Sequence, residues 1–120
     1  VESPTEEQKT DKDTIQGALC CINRDYDTGI LLFSNVAYRM KRKMGYQEEK
    51  VACIFNLMAK AYEKIEEHRK ACKMYEECLK LRKSAVGSDH LKVASTLYDM
   101  ALMFHKRGKP TRALACLEES

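Results

Sequence analysis

The sequence predicts an all-α protein built from a helical unit that occurs three times. Apolar residues recur at three- and four-residue spacing in 51–62, 71–81 and 93–104, and none of these stretches shows the alternation of a half-buried strand. Five glycines and two prolines are few for the many turns of a β-sandwich or barrel. A chain of 120 residues is long enough for one small domain with its own core.

Residues 1–13 differ from the rest in being charged and almost without apolar side chains. This composition predicts a disordered tail. We expect the first helix to start at Thr14, with Asp13 or Thr14 as its N-terminal cap. The predicted helical domain therefore spans residues 14–120.

The repeated unit becomes visible when the sequence is shifted against itself by 42 residues. Residues 51–78 then fall on 93–120 without a gap and share eight identities. A second step of 42 residues places Gly17 under Ala59 and Phe33 under Tyr75, where size and polarity agree. We expect units at 14–50, 51–92 and 93–120, the last of which stops inside its second helix.

Each unit carries small and large residues at matching positions of two helices joined by a polar turn. Small residues let two helices approach closely, and large residues on the neighbour fill the space above them. The small residues are Gly17, Ala59 and Ala101 in the first helices and Gly29, Ala71 and Ala113 in the second helices. One such pair buries little by itself, so the units are expected to stack.

This series of small and large residues resembles the tetratricopeptide repeat. The residues that match in register are Ala59, Tyr62, Ala71, Tyr75 and Cys78, and again Ala101, Phe104, Ala113, Leu117 and Ser120; Gly17, Cys20, Gly29, Phe33 and Val36 match more loosely. The 42-residue unit with a Gly-x-Asp-His linker is similar to the kinesin-light-chain variant, although Leu91 stands where proline typically follows. The resemblance implies a right-handed superhelix of about three antiparallel helix pairs.

The resemblance also implies a concave groove, lined by the first helices, that binds a peptide or a partner segment. The positions implied to face this groove are Cys53, Asn56, Lys60, Glu63, Lys64, Ser95, Tyr98, Leu102, His105 and Lys106. Asn56 occupies a position that is often Asn in this variant, and its amide can bond an extended backbone. The lysines would attract acidic side chains.

Two functions stay open on this reading. The first is a non-catalytic adaptor that binds a protein or peptide, expected to be acidic, in the groove. The alternative is an architectural subunit that packs through an exposed terminal helix face, because the last pair at Cys116–Ser120 has no polar capping helix. In that case either further repeats follow in a longer array or the face packs on another copy or subunit.

Other chemistry is not predicted. His68 and Cys72 could supply two metal ligands but no further pair completes a site, and no phosphate-binding loop or oxyanion-hole turn is present, so we expect no metal, cofactor or catalytic residue. The basic clusters 39–43, 80–83 and 105–109 fall at predicted helix ends, where cations offset the helix dipole, and nucleic-acid binding is not expected.

The six cysteines sit within helical patterns, which indicates thiols in a reducing, cytoplasmic compartment, with cytoskeletal association as one option. No apolar run is long enough to predict membrane insertion.

The stretch Arg82–Ala94 contains an Asp89-His90 pair that could suggest a catalytic site. The shift of 42 residues lays it on Met40–Ala52, where the basic helix end, the glycine and the Val-Ala helix start recur, while Gln47-Glu48 replaces the Asp-His pair. The recurring residues are those that a joint between two helices needs. We therefore interpret the stretch as a joint in which Asp89 caps the next helix.

Overall fold

The computed structural model describes residues 5–42, 48–87 and 90–119. Within these residues the chain forms six α-helices and no strand. The helices are α1 (Glu6–Ile22), α2 (Tyr26–Lys41), α3 (Glu48–Lys64), α4 (His68–Val86), α5 (Leu91–Lys106) and α6 (Pro110–Glu119). Consecutive helices pack as the antiparallel pairs α1–α2, α3–α4 and α5–α6, and each pair packs on the next. The all-α prediction and the three helix pairs are confirmed.

The turn inside each pair repeats with the predicted period. A residue with positive φ follows the first helix of every pair, and these residues, Arg24, Glu66 and Gly108, are each 42 positions apart. The next residue donates its N–H to a carbonyl in the last helical turn: Asp25 to Cys20, Glu67 to Tyr62 and Lys109 to Phe104, at 2.7, 2.9 and 2.8 Å. This is the Schellman motif, which closes a helix by satisfying carbonyls that lack an intrahelical partner.

The first helix starts earlier than the sequence predicted. Helix α1 begins at Glu6, so the described part of 1–13 is helical rather than disordered, and neither Asp13 nor Thr14 is its cap. Thr5 is the cap: its side chain accepts a bond from the Gln8 N–H while the Gln8 side chain bonds the Thr5 backbone. This capping box satisfies two N–H groups at once. Residues 1–4 lie outside the described residues.

The core consists of two clusters that lie at the joints between units. The first joins the first and second units through Phe33, Val36, Val51 and Phe55. The second joins the second and third units through residues such as Tyr75 and Leu97. The small residues act as predicted, since a Cβ built on Gly17 would lie 2.8 Å from the Phe33 ring. A small residue therefore lets the two helices of the first unit approach closely.

The stretch Arg82–Ala94 forms the joint between α4 and α5. Helix α4 ends at Val86, and Gly87, at φ 90°, donates its N–H to the Lys83 carbonyl. The cap of α5 is His90, whose Nδ1 accepts a bond from the Lys92 N–H at 3.1 Å. The assignment of Asp89 as the cap is therefore wrong: the cap position belongs to the next residue, and Asp89 itself lies outside the described residues, as does Gly45 of the matching joint.

Candidate functional site

The ten residues implied to face a groove lie on two neighbouring helices that run in the same direction. Glu49 in the first turn of α3 pairs with Lys92 in the first turn of α5 at 3.1 Å, and Lys60 in the middle of α3 pairs with Asp99 in the middle of α5 at 3.9 Å. These two pairs fix the parallel arrangement. All ten side chains are exposed or half-buried, so the fold leaves them accessible.

On α3, the predicted residues have different roles. Asn56 is half-buried, and its Oδ1 is buried without a hydrogen-bond partner in the described residues. Lys64 is exposed, and Lys60 is more than half exposed in spite of its pair with Asp99. Cys53 lies beside charged groups, because its Sγ is 3.7 Å from Nη2 of Arg82. We call Asn56, Lys60, Lys64 and the α5 residue Lys106 the first-helix surface.

Glu63 is committed to the fold rather than to the first-helix surface. Its carboxylate accepts a hydrogen bond from the Tyr75 hydroxyl of α4, and Tyr75 is buried. Burial, followed by the bond to Glu63 and its negative charge, raises the pKa of Tyr75 well above its ordinary value. The hydroxyl therefore stays protonated at neutral pH, where it can donate to Glu63.

On α5, three predicted residues belong to an apolar pocket instead of a polar groove. Tyr98, Leu102 and His105 line an open pocket of about 300 Å³ on the outer side of the last helix pair. We call this surface the end face; its lining residues are Tyr98, Ala101, Leu102, His105, Pro110, Ala113, Leu114 and Leu117. Ser95 and Lys106 are exposed but do not line it. The structure thus places seven of the ten predicted residues on two separate surfaces, and Cys53, Glu63 and Ser95 belong to neither.

Arg82 was not expected to be buried, because in the sequence it belongs to a cluster of cations at a predicted helix end. Arg82 is only 7% exposed. Its guanidinium donates to Thr96 Oγ1 at 2.7 Å, and its Nε lies 3.6 Å from a carboxylate oxygen of Glu49. The equivalent position in the first unit is Met40, an apolar residue. That difference between repeats was the available signal, because a charge that replaces an apolar core residue needs buried partners.

Two further cations occupy equivalent positions in the second and third units, and each contacts an aromatic ring. Lys70 lies over the Tyr62 ring at 5.9 Å, and Arg112 lies over the Phe104 ring at 5.7 Å. The two pairs are related by the 42-residue period, and each joins the start of a second helix to the end of the first helix. Cation–π contacts of this kind add to the packing of the two helices in each of these units.

The described residues contain no cluster of three or more His, Cys, Asp or Glu side chains that could hold a metal ion. In particular, Cys72 lies within hydrogen-bonding distance of Glu76 rather than in a ligand set with His68. Burial, with the neighbouring Glu76 charge, raises the pKa of the Cys72 thiol. No helix of the described chain is long and apolar enough to cross a membrane.

Comparison with known proteins agrees with this geometry. A solved structure, BtubC (BKLC) from P. vanneervenii, superposes with a TM-score of 0.84 at 18% identity; the match covers 99% of this chain and 47% of that one. The chain therefore spans about half the length of this kinesin-light-chain-like neighbour. A comparison with curated proteins gave no match. A sequence model described as tetratricopeptide repeat matches residues 50–120, and the chain belongs to the tetratricopeptide repeat family.

Proposed function

We propose that the chain is a non-catalytic adaptor that holds a segment of a partner protein against the first-helix surface. The observation that carries the proposal is Asn56. Buried polar atoms in folded proteins almost always have hydrogen-bond partners, yet Oδ1 of Asn56 has none in the described residues. An amide that the fold leaves unsatisfied can reorient to bond the backbone of an incoming segment.

The charges of the same surface indicate the chemistry of the partner. Lys64 and Lys106 are exposed, and Lys60 holds Asp99 only at 3.9 Å, a distance at which an exposed pair contributes little. A carboxylate on the partner could therefore bind these lysines without breaking a strong interaction. We infer a segment with acidic side chains, whose charge would both attract and orient it.

The family and the thiols support the rest of the proposal. The tetratricopeptide repeat is in general a non-catalytic interaction fold. The six cysteines are present as thiols, and Cys78 is buried, with its pKa raised by that burial. Buried thiols behave as small apolar residues, and thiols persist in a reducing intracellular compartment. We propose such a compartment for the protein.

A selection from a displayed library of random peptides on the immobilised chain would supply ligands for a direct test. We expect the selected peptides to contain Asp or Glu, and their affinity, measured by fluorescence polarisation, to fall about tenfold or more in Asn56→Ala and in Lys64→Glu. The matched control is Lys73→Glu, the same change at an exposed lysine of α4. Equal affinity in all four proteins would contradict the first-helix surface as the binding site.

The end face favours a second candidate, an architectural role in a larger assembly. Its lining residues are almost entirely apolar. Apolar patches of this kind on a protein surface commonly mark interaction sites. Sedimentation at several concentrations distinguishes assembly with identical copies from the adaptor role, since only assembly raises the average mass with concentration.

A further inference from the structure

The turn inside each helix pair changes in charge from the first unit to the third. The three turns occupy equivalent residues of the 42-residue unit. Residues 22–28 contain one arginine and two aspartates, residues 64–70 contain three cations and two glutamates, and residues 106–112 contain four cations and no acid. With histidine neutral, the net charge of these seven residues is therefore −1 in the first turn, +1 in the second and +4 in the third.

Helix dipoles account for only part of the charge in the third turn. The cluster 105–109 was expected at a helix end where cations offset the dipole, and Lys106 does lie in the last turn of α5. Lys109, however, directly precedes α6, and Arg112 is the third residue of that helix. Cations at the amino end of a helix oppose its dipole and lower its stability. The dipole therefore does not explain why these two cations are present.

The first and second units place an acid at the position that Lys109 occupies in the third. In every unit the carbonyl of this residue accepts the first backbone bond of the second helix: Asp25 from Gly29, Glu67 from Ala71 and Lys109 from Ala113, at 3.1, 3.0 and 3.1 Å. A negative side chain is favourable here, because it lies beside the free N–H groups of the first helical turn. The third unit keeps the backbone geometry and reverses the charge.

The cations around the start of α6 are accessible and are not paired within the fold. Lys109 and Arg112 are exposed and Arg107 is half-buried. None of the three forms an ion pair with any residue that the structure describes. Arg112 does contact the Phe104 ring, but this contact leaves its charge unbalanced. We call Arg107, Lys109 and Arg112 the turn patch.

Two members of the turn patch lie on the same side of the turn. Burial raises the pKa of the Cys72 thiol of α4, and the charges of Arg112 and Arg107 oppose that rise. Both guanidinium groups therefore lie near one thiol. Glu76 lies beside the same thiol, at 3.5 Å from Cys72 Sγ, but pairs with neither arginine. The turn patch is thus a local concentration of positive charge.

The exposure of the turn patch does not depend on where the sequence ends. Arg24 in the first turn is exposed although a second unit follows, and Glu66 and Glu67 in the second turn are exposed although a third unit follows. A following unit packs on the helices and leaves the turns in solvent. The turn patch would therefore stay accessible in a longer array of repeats.

We propose that the turn patch docks an acidic segment of a partner protein, in which several carboxylates follow one another. Clustered cations without acidic neighbours attract such a segment and orient it as it approaches. The proposal extends the proposed function to a second surface and does not depend on the first-helix surface.

A nucleic acid or an anionic membrane fits this edge of the stack less well. The other two turns carry Asp25, Asp27, Glu66 and Glu67, all of them exposed. These acids would repel an extended polyanion or a charged surface that spans the edge, whereas a short segment meets the third turn alone. The one aromatic ring at the turn patch, Phe104, is buried, so it offers no surface on which bases could stack.

The test uses a fluorescein-labelled hexaglutamate peptide, with hexaglutamine as the neutral comparison. We expect saturable binding of hexaglutamate by fluorescence polarisation, weaker as the salt concentration rises. The double variant Lys109→Glu with Arg112→Glu should weaken binding about tenfold or more. The matched control, Lys9→Glu with Lys12→Glu, makes the same change of charge at two exposed lysines of α1 and should bind within about twofold of wild type.

Thermal unfolding gives a second readout that does not use a ligand. Lys109→Glu restores an acid at the start of α6, as in the other two units, so its midpoint should be higher than that of wild type. A lower midpoint would show that the lysine stabilises the fold, and would overturn the inference.

Three binding results would also overturn it. They are equal binding of hexaglutamate and hexaglutamine, equal binding of hexaglutamate to the double variant, and tighter binding of oligothymidylate or phosphatidylserine vesicles that the double variant abolishes. Asn56→Ala separates this inference from the proposed function. It should leave hexaglutamate binding unchanged while it weakens the peptides selected on the first-helix surface; the reverse pattern would retain the proposed function and remove the turn patch.

Discussion

Arg82 of α4 donates a hydrogen bond to the Thr96 hydroxyl of α5 at 2.7 Å, and both side chains are buried. The Thr96 hydroxyl in turn donates to the Lys92 carbonyl at 2.9 Å, and the Arg82 guanidinium also lies beside Glu49 of α3. One side chain therefore joins three helices. The joint between the second and third units is held by a buried polar network, whereas Met40 takes the place of Arg82 in the joint before it.

Removing Arg82 should destabilise the chain strongly. In Arg82→Ala, Thr96 loses its charged donor while Glu49 keeps its pair with Lys92, and the loss of a hydrogen bond to a charged group costs about 1.5–3 kcal/mol. Urea unfolding monitored by circular dichroism would measure the free energy of unfolding. Lys80→Ala, an exposed cation of the same helix, should change it by less than about 0.5 kcal/mol. If the two variants unfold alike, the network does not hold the joint.

The bond between Tyr75 and Glu63 should contribute measurably to stability. Tyr75→Phe keeps the buried ring but removes the donor to a carboxylate, and a hydrogen bond to a charged group is worth about 1.5–3 kcal/mol. The matched control is Tyr38→Phe, which removes the hydroxyl of an exposed tyrosine. Thermal unfolding should show a lower midpoint for Tyr75→Phe only. A shift of the same size in both variants would argue against the bond.

The pH dependence of stability should change above about pH 10, the ordinary pKa of tyrosine. Burial and the Glu63 carboxylate raise the pKa of Tyr75 in the folded state. Its contribution is therefore fully present below pH 10 and is lost as the pH rises further, because only the unfolded chain then readily releases the proton. Wild type should lose stability more steeply than Tyr75→Phe in this range. Absorbance titration at high pH would contradict this if all six tyrosines ionised together while the chain stayed folded.

Replacing Gly29 by alanine should destabilise the first unit although alanine favours helices. A Cβ at this position would lie 2.6 Å from Cys21 Sγ and 3.0 Å from the Gly17 carbonyl oxygen. Overpacking of this kind costs about 1–3 kcal/mol, more than the ~1 kcal/mol that alanine gains over glycine in a helix. Asn35→Ala, at an exposed position of the same helix, gains propensity without a clash. We expect opposite signs for the two variants in urea unfolding; stabilisation by Gly29→Ala would show that α1 and α2 are not so close.

The start of α1 should depend on Thr5. Thr5→Ala removes the side-chain acceptor for the Gln8 N–H, and loss of such a cap costs about 1 kcal/mol. Hydrogen exchange followed by mass spectrometry should show faster exchange in the first turns of α1 and unchanged exchange in α3. Slow exchange at these turns in the variant would mean that packing, and not the cap, fixes the start of the helix.

The helical unit could be predicted because its signals are local or periodic. The 42-residue period, the small and large residues and the polar turns are all present in the sequence, and Arg24, Glu66 and Gly108 confirm the period in the backbone itself. The start of α1 was missed because composition was weighed above the capping box. Thr5 and Gln8 show the required spacing, so this signal was available.

The resemblance to the repeat family could not show that the predicted site residues lie on different surfaces. A family pattern treats Asn56 and Tyr98 as equivalent, because they hold the same position in successive units. In the structure Asn56 is half-buried, with an Oδ1 that no described residue bonds, whereas Tyr98 is exposed and lines an open apolar pocket. The two positions share a place in the repeat but have different neighbours, and neighbours decide whether a side chain is available to a partner.

The sequence by itself determined the all-α fold, the three helix pairs and their period, because helix formation and turn chemistry depend on residues close together in the chain. Only the tertiary structure decided that Arg82 is buried against Thr96, that Glu63 is bound to Tyr75, and that Leu102 lies on an open face. These facts depend on which helices pack against one another, and contacts that differ from one repeat to the next leave no period in the sequence.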